Sequence, residues 1–426
     1  MRMLSKEDLF NLASHPEIKR FSHQGLGILR LSRDNSIFDP RVLFLFQLKI
    51  VENIILLEGK MNDVDKKSND YFVIKYLIRC YKYFMDGIAL RLMSFNANAH
   101  RILSENRDAG RLNKLGLKNE IDFLKEEVKK GNLAILNDLT NFIRLGDITI
   151  IKNGSIELKE IKSSKAEMSP KKKTLSSQQI KLRCAEEMIN GNFCIIGEKR
   201  QKGYIFESTV NAKTFTNQVS DAISKANKNG FYSRKVSDLI TIEATNFNVC
   251  VEKNVNLSGK RKSPEDFLTK EIFYFESCDL AYSKDNEFIR SAFPPTVHKM
   301  NTKNLTDYIF MQVFVTVFFD FGYFCSLLKE SGFEVEINPE IKKVEINERY
   351  TKDAMPMEIR SEVNFITLKK NNFFLTIPSN FLSRVGFEFM DPRSEIDLCN
   401  YIYLNKTKAL RGLQMQVFKN HRKLWL

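Results

Sequence analysis

Residues 144–164, RLGDITIIKNGSIELKEIKSS, constrain this chain more than any other stretch, because they encode a β-hairpin with one face that runs from apolar to charged. Residues 147–152 are rich in Ile and Thr, and Asn153-Gly154 is a strong two-residue turn signal, since both positions tolerate a positive φ. The arm that follows alternates. Ile156, Leu158, Glu160 and Lys162 share one face, while Glu157, Lys159, Ile161 and Ser163 share the other. A carboxylate leading out of an apolar row is unfavourable unless something pairs with it, so Glu160 calls for a partner. Glu157-Leu158-Lys159 repeats the Glu-x-Lys spacing on the polar face, where solvated cross-strand ion pairs are enough to explain it. For Glu160 and Lys162 a structural ion pair is the plain alternative to a site.

With Asp147 at the open end of the facing strand, Glu160 and Lys162 meet the requirements of phosphodiester cleavage. Mg²⁺ takes hard carboxylate oxygens and keeps waters for contact with substrate. A neighbouring ammonium orients the attacking water and offsets charge on the phosphorus oxygens. Gly146-Asp147, followed thirteen residues on by Glu160-Ile161-Lys162 and Ser163-Ser164, resembles the signature of the PD-(D/E)xK nuclease superfamily over about residues 115–206. Gly146 stands where the family's name has Pro.

The resemblance implies an α/β fold, a restriction-endonuclease-like mixed sheet flanked by helices. It also implies Mg²⁺ (or Mn²⁺) held by Asp147 and Glu160, with Lys162 as the catalytic ammonium. Glu120, on the amphipathic helix read at 115–130, is the candidate for a further metal ligand, and a solvated carboxylate is the alternative. Related nucleases carry a Gln early in the helix after the hairpin. Both Gln178 and Gln179 fit, and Gln179 is favoured because Leu182, three residues on, shares its face.

A net charge of +14 suits a polyanionic partner, and nucleic acid, DNA before RNA, is the expected one. Lys165 and the run Lys171, Lys172 and Lys173 form a basic loop beside the hairpin, placed either to meet phosphates or simply to be solvated. Cys80, Cys184, Cys194, Cys250, Cys278, Cys325 and Cys399 include no CxxC pair, which points to reduced thiols in a cytoplasmic protein and away from zinc. The opening MRMLSKEDLF has no apolar core of a signal peptide. Residues 309–328 have the length of a membrane span but contain Gln312, Asp320 and Gly322. An Asp at mid-bilayer costs about 2.5–3.5 kcal/mol, so a buried core helix and no membrane partner are expected.

Three domains follow from the chain's punctuation: a helical N-terminal domain at 1–111, the nuclease-like domain at 112–252 and an α+β C-terminal domain at 253–426, entered through the polar stretch NVNLSGKRKSP. In the first, Asp86 and Arg91 are expected to form an internal ion pair. In the second, 133–144 reads equally as a strand or a helical turn, a helix is expected at 174–190, and strands at 193–196 and 204–206 are expected to complete the sheet. The C-terminal run Lys406, Lys408, Arg411, Lys419, Arg422 and Lys423 makes a basic amphipathic tail. The leading functional expectation is a metal-dependent nuclease, with restriction or phage defence as an analogy of fold. The alternative is a catalytically inactive nuclease-fold module for nucleic-acid binding or protein interaction, its flanking domains engaging a protein partner or a second copy.

Overall fold

The computed structural model describes residues 13–104, 111–161, 177–191, 193–196, 199–202, 204–207, 209–257, 271–277, 294–337, 364–378, 380–405 and 414–417. They form a mixed architecture of helices and mainly antiparallel sheets in two compact units, one mainly of Gln24–Gly203 and the other mainly of Tyr204–Leu426.

In the first unit, α1 (Pro16–Arg33), within which the division falls, precedes two long helices, α2 (Pro40–Asn62) and α3 (Asn69–Leu92). Each has a sequence-encoded start. Asp39 accepts from the Arg41 and Val42 N–H groups ahead of α2, and Ser68 accepts from Tyr71 N–H ahead of α3. The two helices pack together and bury Ile50, Ile54, Leu57, Leu77, Cys80 and Phe84. After α4 (Ala97–Leu103) and α5 (Leu117–Lys129) comes a sheet of order β1-β2-β3, made of Leu133–Leu136, Ile148–Lys152 and Ser155–Lys159. Both neighbours are antiparallel, with Leu136 opposite Ile148 and Ile148 opposite Lys159. Asn153 and Gly154 have φ of 51° and 77°, the turn the dipeptide encodes. Residues 133–144 contain both elements left open by the sequence, β1 and then a 3₁₀ turn at Asn137–Leu139.

Both edges of this sheet are capped by helix side chains. On β1, Gln47 of α2 donates to Ala134 O (2.9 Å) and accepts from Leu136 N–H (2.8 Å). On β3, Asn190 of α6 (Ser177–Gly191) bonds both backbone groups of Ile156, and Glu186 accepts from Leu158 N–H. The expected further strands do form, as β4 (Phe193–Ile196) and β6 (Tyr204–Glu207), but they do not extend this sheet. β4 pairs with β5 (Lys199–Lys202), and β6 pairs in parallel with the C-terminal Gln414–Val417. Gln47 ties α2 to this sheet by hydrogen bonds that the edge strand lacks. The main division between the two compact units falls at 203/204.

Asp86 and Arg91 do not pair with each other. Five residues on a helix turn the side chains about 140° apart. Arg91 donates to Ser32 O and Asn35 Oδ1, and Asp86 accepts from the backbone and side-chain nitrogens of Asn141 at 2.6 and 2.7 Å.

The second unit holds α7 (Thr216–Asn229) against an antiparallel sheet of order β7-β8-β10-β9, with β7 at Phe231–Lys235, β8 at Ile240–Thr245, β9 at Ile272–Glu276 and β10 at Phe314–Asp320, and the short helix α8 (Phe247–Glu252) follows β8. Residues 309–328 are not one helix. They hold the end of helix α9 (Thr302–Ile309), strand β10 (Phe314–Asp320) and most of helix α10 (Phe321–Glu330). The β-branched and aromatic run Phe-Val-Thr-Val-Phe-Phe favours a strand, and Asp320 caps α10 by accepting from Tyr323 N–H. Among the described residues no helix is long and apolar enough to cross a membrane.

Two outcomes check this account. Replacing Gln47 by Leu leaves a buried carbonyl and a buried N–H of β1 unpaired, so denaturant unfolding is expected to show a loss of about 2 kcal/mol or more; an unchanged midpoint would detach α2 from the sheet. Burial pushes the Asp86 carboxyl up to about 6, against the Asn141 hydrogen bonds, which favour the anion. The fold then holds this proton more tightly than the unfolded chain does. The resulting stability is present below the carboxyl's ordinary value of 3.8 and is lost as pH rises through about 6. Asp86→Asn is expected to flatten the fall in melting temperature over that window.

Candidate active site

The ends of β1, β2 and β3 meet at Asn137, whose side chain is buried. Its amide donates to Leu145 O (2.9 Å) and Gly146 O (3.1 Å) and accepts from Thr149 Oγ1 (2.7 Å), while its backbone N–H donates to Asp147 O (2.9 Å). Gly146 lies at φ 71°, and a Cβ there would sit 2.8 Å from Lys159 O. Proline, fixed near −65°, cannot take that conformation, so glycine at this position has a local reason. Beyond it regular pairing ends: Asp147 N–H donates to Lys159 O (2.7 Å), and Asp147 Oδ2 accepts from Ile161 N–H (2.6 Å). The carboxylate of Asp147 is thereby tied to the middle residue of Glu160-Ile161-Lys162.

Three carboxylates gather around one ammonium. Lys114 Nζ lies 2.6 Å from Asp138 Oδ2, 2.7 Å from Glu120 Oε1 and 4.0 Å from Asp147 Oδ1. Glu120 comes from the first turn of α5, Asp138 from the 3₁₀ turn after β1, and Asp147 from the start of β2. Partial burial works against the Lys114 ammonium, but its hydrogen bonds to Asp138 and Glu120 outweigh that and raise its pKa. Glu120 is shifted upward by desolvation, with the nearby Asp147 and Asp138 charges adding to the effect and Lys114 opposing it. Its Oε1 is on the lysine; its Oε2 is buried with no hydrogen-bond partner. Among the described residues, no three Asp, Glu, His or Cys side chains come together as a ligand set for a metal. The ammonium stands at the middle of the acidic group instead.

Glu160 and Gln179 line one cleft of about 350 Å³ between β3 and α6, together with Leu182, Arg183 and Glu186. The second Glu-x-Lys pair, Glu157 and Lys159, forms an ion pair between two partly exposed side chains. Lys162, Lys165, Lys171, Lys172 and Lys173 lie outside the described residues, as do the basic residues of the C-terminal tail. No protein-family model, curated protein or solved structure matches this chain.

Sequence reasoning missed Lys114, Asp138 and Asn137. Asp138 did carry a signal, because Asn-Asp after the apolar Leu133-Ala-Ile-Leu136 ends a strand on a carboxylate, as Glu160 does. Lys114 carried none. Its partners are 6 to 33 positions away along the chain and reach it only through the fold.

The Asp147–Ile161 bond yields a testable contrast. Asp147→Ala leaves the half-buried Ile161 N–H without its acceptor and is expected to lower stability by about 1 kcal/mol in denaturant unfolding. Asp147→Asn keeps an oxygen there and is expected to lose less; equal losses would remove this bond from the description.

Proposed function

We propose that the first unit is a metal-dependent nuclease acting on DNA, with the second unit contributing substrate or partner contacts. The observation that carries this reading is the 2.6 Å bond from Ile161 N–H to Asp147 Oδ2, because it draws the strand-initiating Asp against the Glu-x-Lys tripeptide. Glu120, from the helix before the strands, faces the same group of charges, as a third ligand would. In this reading the sheet β1-β2-β3 with α5 and α6 is a restriction-endonuclease-like core.

The donor types suit a divalent cation such as Mg²⁺ or Mn²⁺, although with Lys114 among them the described carboxylates are not gathered into a ligand set. Glu120 Oε2 is a buried carboxylate oxygen lacking a partner, next to two further carboxylates, Asp138 and Asp147. Asp147, Glu160 and Glu120 would hold the cation, which supplies positive charge against the phosphate oxygens. Lys162 orients the attacking water, Gln179 steadies substrate from the cleft it shares with Glu160, and Lys165 with Lys171, Lys172 and Lys173 meets the backbone phosphates. Among the described residues Cys80, Cys184, Cys250, Cys325 and Cys399 form no disulfide, which suits a reducing cytoplasm.

A second reading also has an observation in its favour. With an ammonium among the carboxylates and no metal-ligand set among the described residues, the same fold would serve as an inactive nucleic-acid-binding or protein-interaction module.

Plasmid cleavage separates the two. The parent is expected to nick or linearise supercoiled DNA with Mg²⁺ or Mn²⁺ and to stop on adding EDTA. Asp147→Asn and Lys162→Ala are expected to lose at least about a hundredfold in rate while keeping DNA affinity within a small factor. Salt-sensitive DNA binding by a parent that cuts with neither metal would decide for the inactive module.

A further inference from the structure

We infer that Lys114 is the resident counter-charge of the acidic site, and that a divalent cation binds there by displacing its ammonium. The inference rests on the nuclease reading only in taking a divalent cation as the ligand.

The lysine occupies the position from which one positive charge reaches all three carboxylates, at 2.6, 2.7 and 4.0 Å. It does not satisfy them. The Glu120 side chain is only 4% exposed, yet its Oε2 is buried without a hydrogen-bond partner. Lone buried carboxylate oxygens are unfavourable and call for a donor or a cation.

Lys114 is placed so that it can leave. Its side chain is 32% exposed, and the next residue, Leu115, is fully exposed. The backbone just before it is anchored: buried Glu58 accepts from Leu112 N–H (3.1 Å) and Asn113 N–H (2.9 Å). A flexible four-carbon stem on a fixed backbone lets the ammonium swing toward water without moving α5. Asp147 keeps its place when it does, because its N–H donates to Lys159 O, its carbonyl accepts from Asn137 N–H and its Oδ2 accepts from Ile161 N–H. In the cation-free protein the lysine also limits repulsion among the carboxylates, so it positions them as well as competing for them.

Titration with Mn²⁺ alone, followed by electron paramagnetic resonance, tests this in the full chain. Lys114→Met, which keeps the stem and removes the charge, is expected to bind Mn²⁺ at least about tenfold more tightly than the parent. Lys114→Arg, which keeps the charge, should stay near the parent. Without metal Lys114→Met should melt below the parent, and Mn²⁺ should narrow or reverse the gap. If Lys114→Met does not fold without metal, Lys114→Gln, which can still donate to Asp138, makes the same comparison. Mn²⁺ binding by the variant alone also supports displacement. A parent that binds Mn²⁺ and a neutral variant that binds it no more tightly would overturn displacement and leave the nuclease reading standing. No Mn²⁺ binding by any of these proteins would overturn both.

Discussion

Asn137 joins the backbone of the first unit to its candidate chemistry. It is 1% exposed, so water does not compete for its amide, and all three of its side-chain hydrogen bonds go to residues 145–149. Those bonds fix the path by which the chain enters β2. The position of Asp147 follows from that path: its carbonyl is held by Asn137, its N–H by Lys159 O and its carboxylate by Ile161 N–H. Asp138, the next residue after Asn137, is carried to the same place. The backbone path that places Asp147, one of the three carboxylates around Lys114, therefore depends on a single buried side chain.

Among the described residues three strands make a small sheet, and neither edge strand has another strand beyond it. An unpaired edge invites pairing with another chain, and burying it without partners is unfavourable. Here the solution lies in three side chains, Gln47 on β1 and Glu186 and Asn190 on β3. The helices that carry them are thereby obligatory parts of the unit rather than neighbours of it. Capping by α6 has a further effect, since the contact that protects β3 also walls the cleft containing Glu160 and Gln179. Stability of the sheet edge and the shape of the candidate site depend on the same helix.

What could be read from the sequence was what local chemistry decides. The Asn-Gly turn, the alternation of β3 and the helical face of α5 each follow from residues within one or two turns of chain. Asp147 and Glu160 could be picked by type and spacing, and Glu120 only through the resemblance; Asp147 and Glu120 both lie within 4.0 Å of the Lys114 ammonium. The misreadings had physical causes. Residues 309–328 are apolar nearly throughout, so they carry no period to tell strand from helix, and the N-cap role of Asp320 was read instead as a membrane-disfavouring charge. Gln47 bonds across 87 and 89 positions, a separation that no local pattern encodes.

The contrast between global and local charge gives the acidic group its meaning. The chain as a whole carries +14, a field that gathers polyanions, yet the best-defined cluster in the first unit is three carboxylates to one ammonium. Two like charges at 4 Å repel by about 4 kcal/mol at an effective dielectric constant near 20, so such a group persists only with counter-charge in its midst. For the same reason it repels a phosphodiester until that counter-charge exceeds what Lys114 provides. In the proposed nuclease, a basic chain around a point that rejects phosphate unless another cation is present would make close approach of a nucleic-acid backbone conditional on cation binding. Under that proposal the conditional step would link the basic composition to the acidic residues that the hairpin and its neighbours hold together.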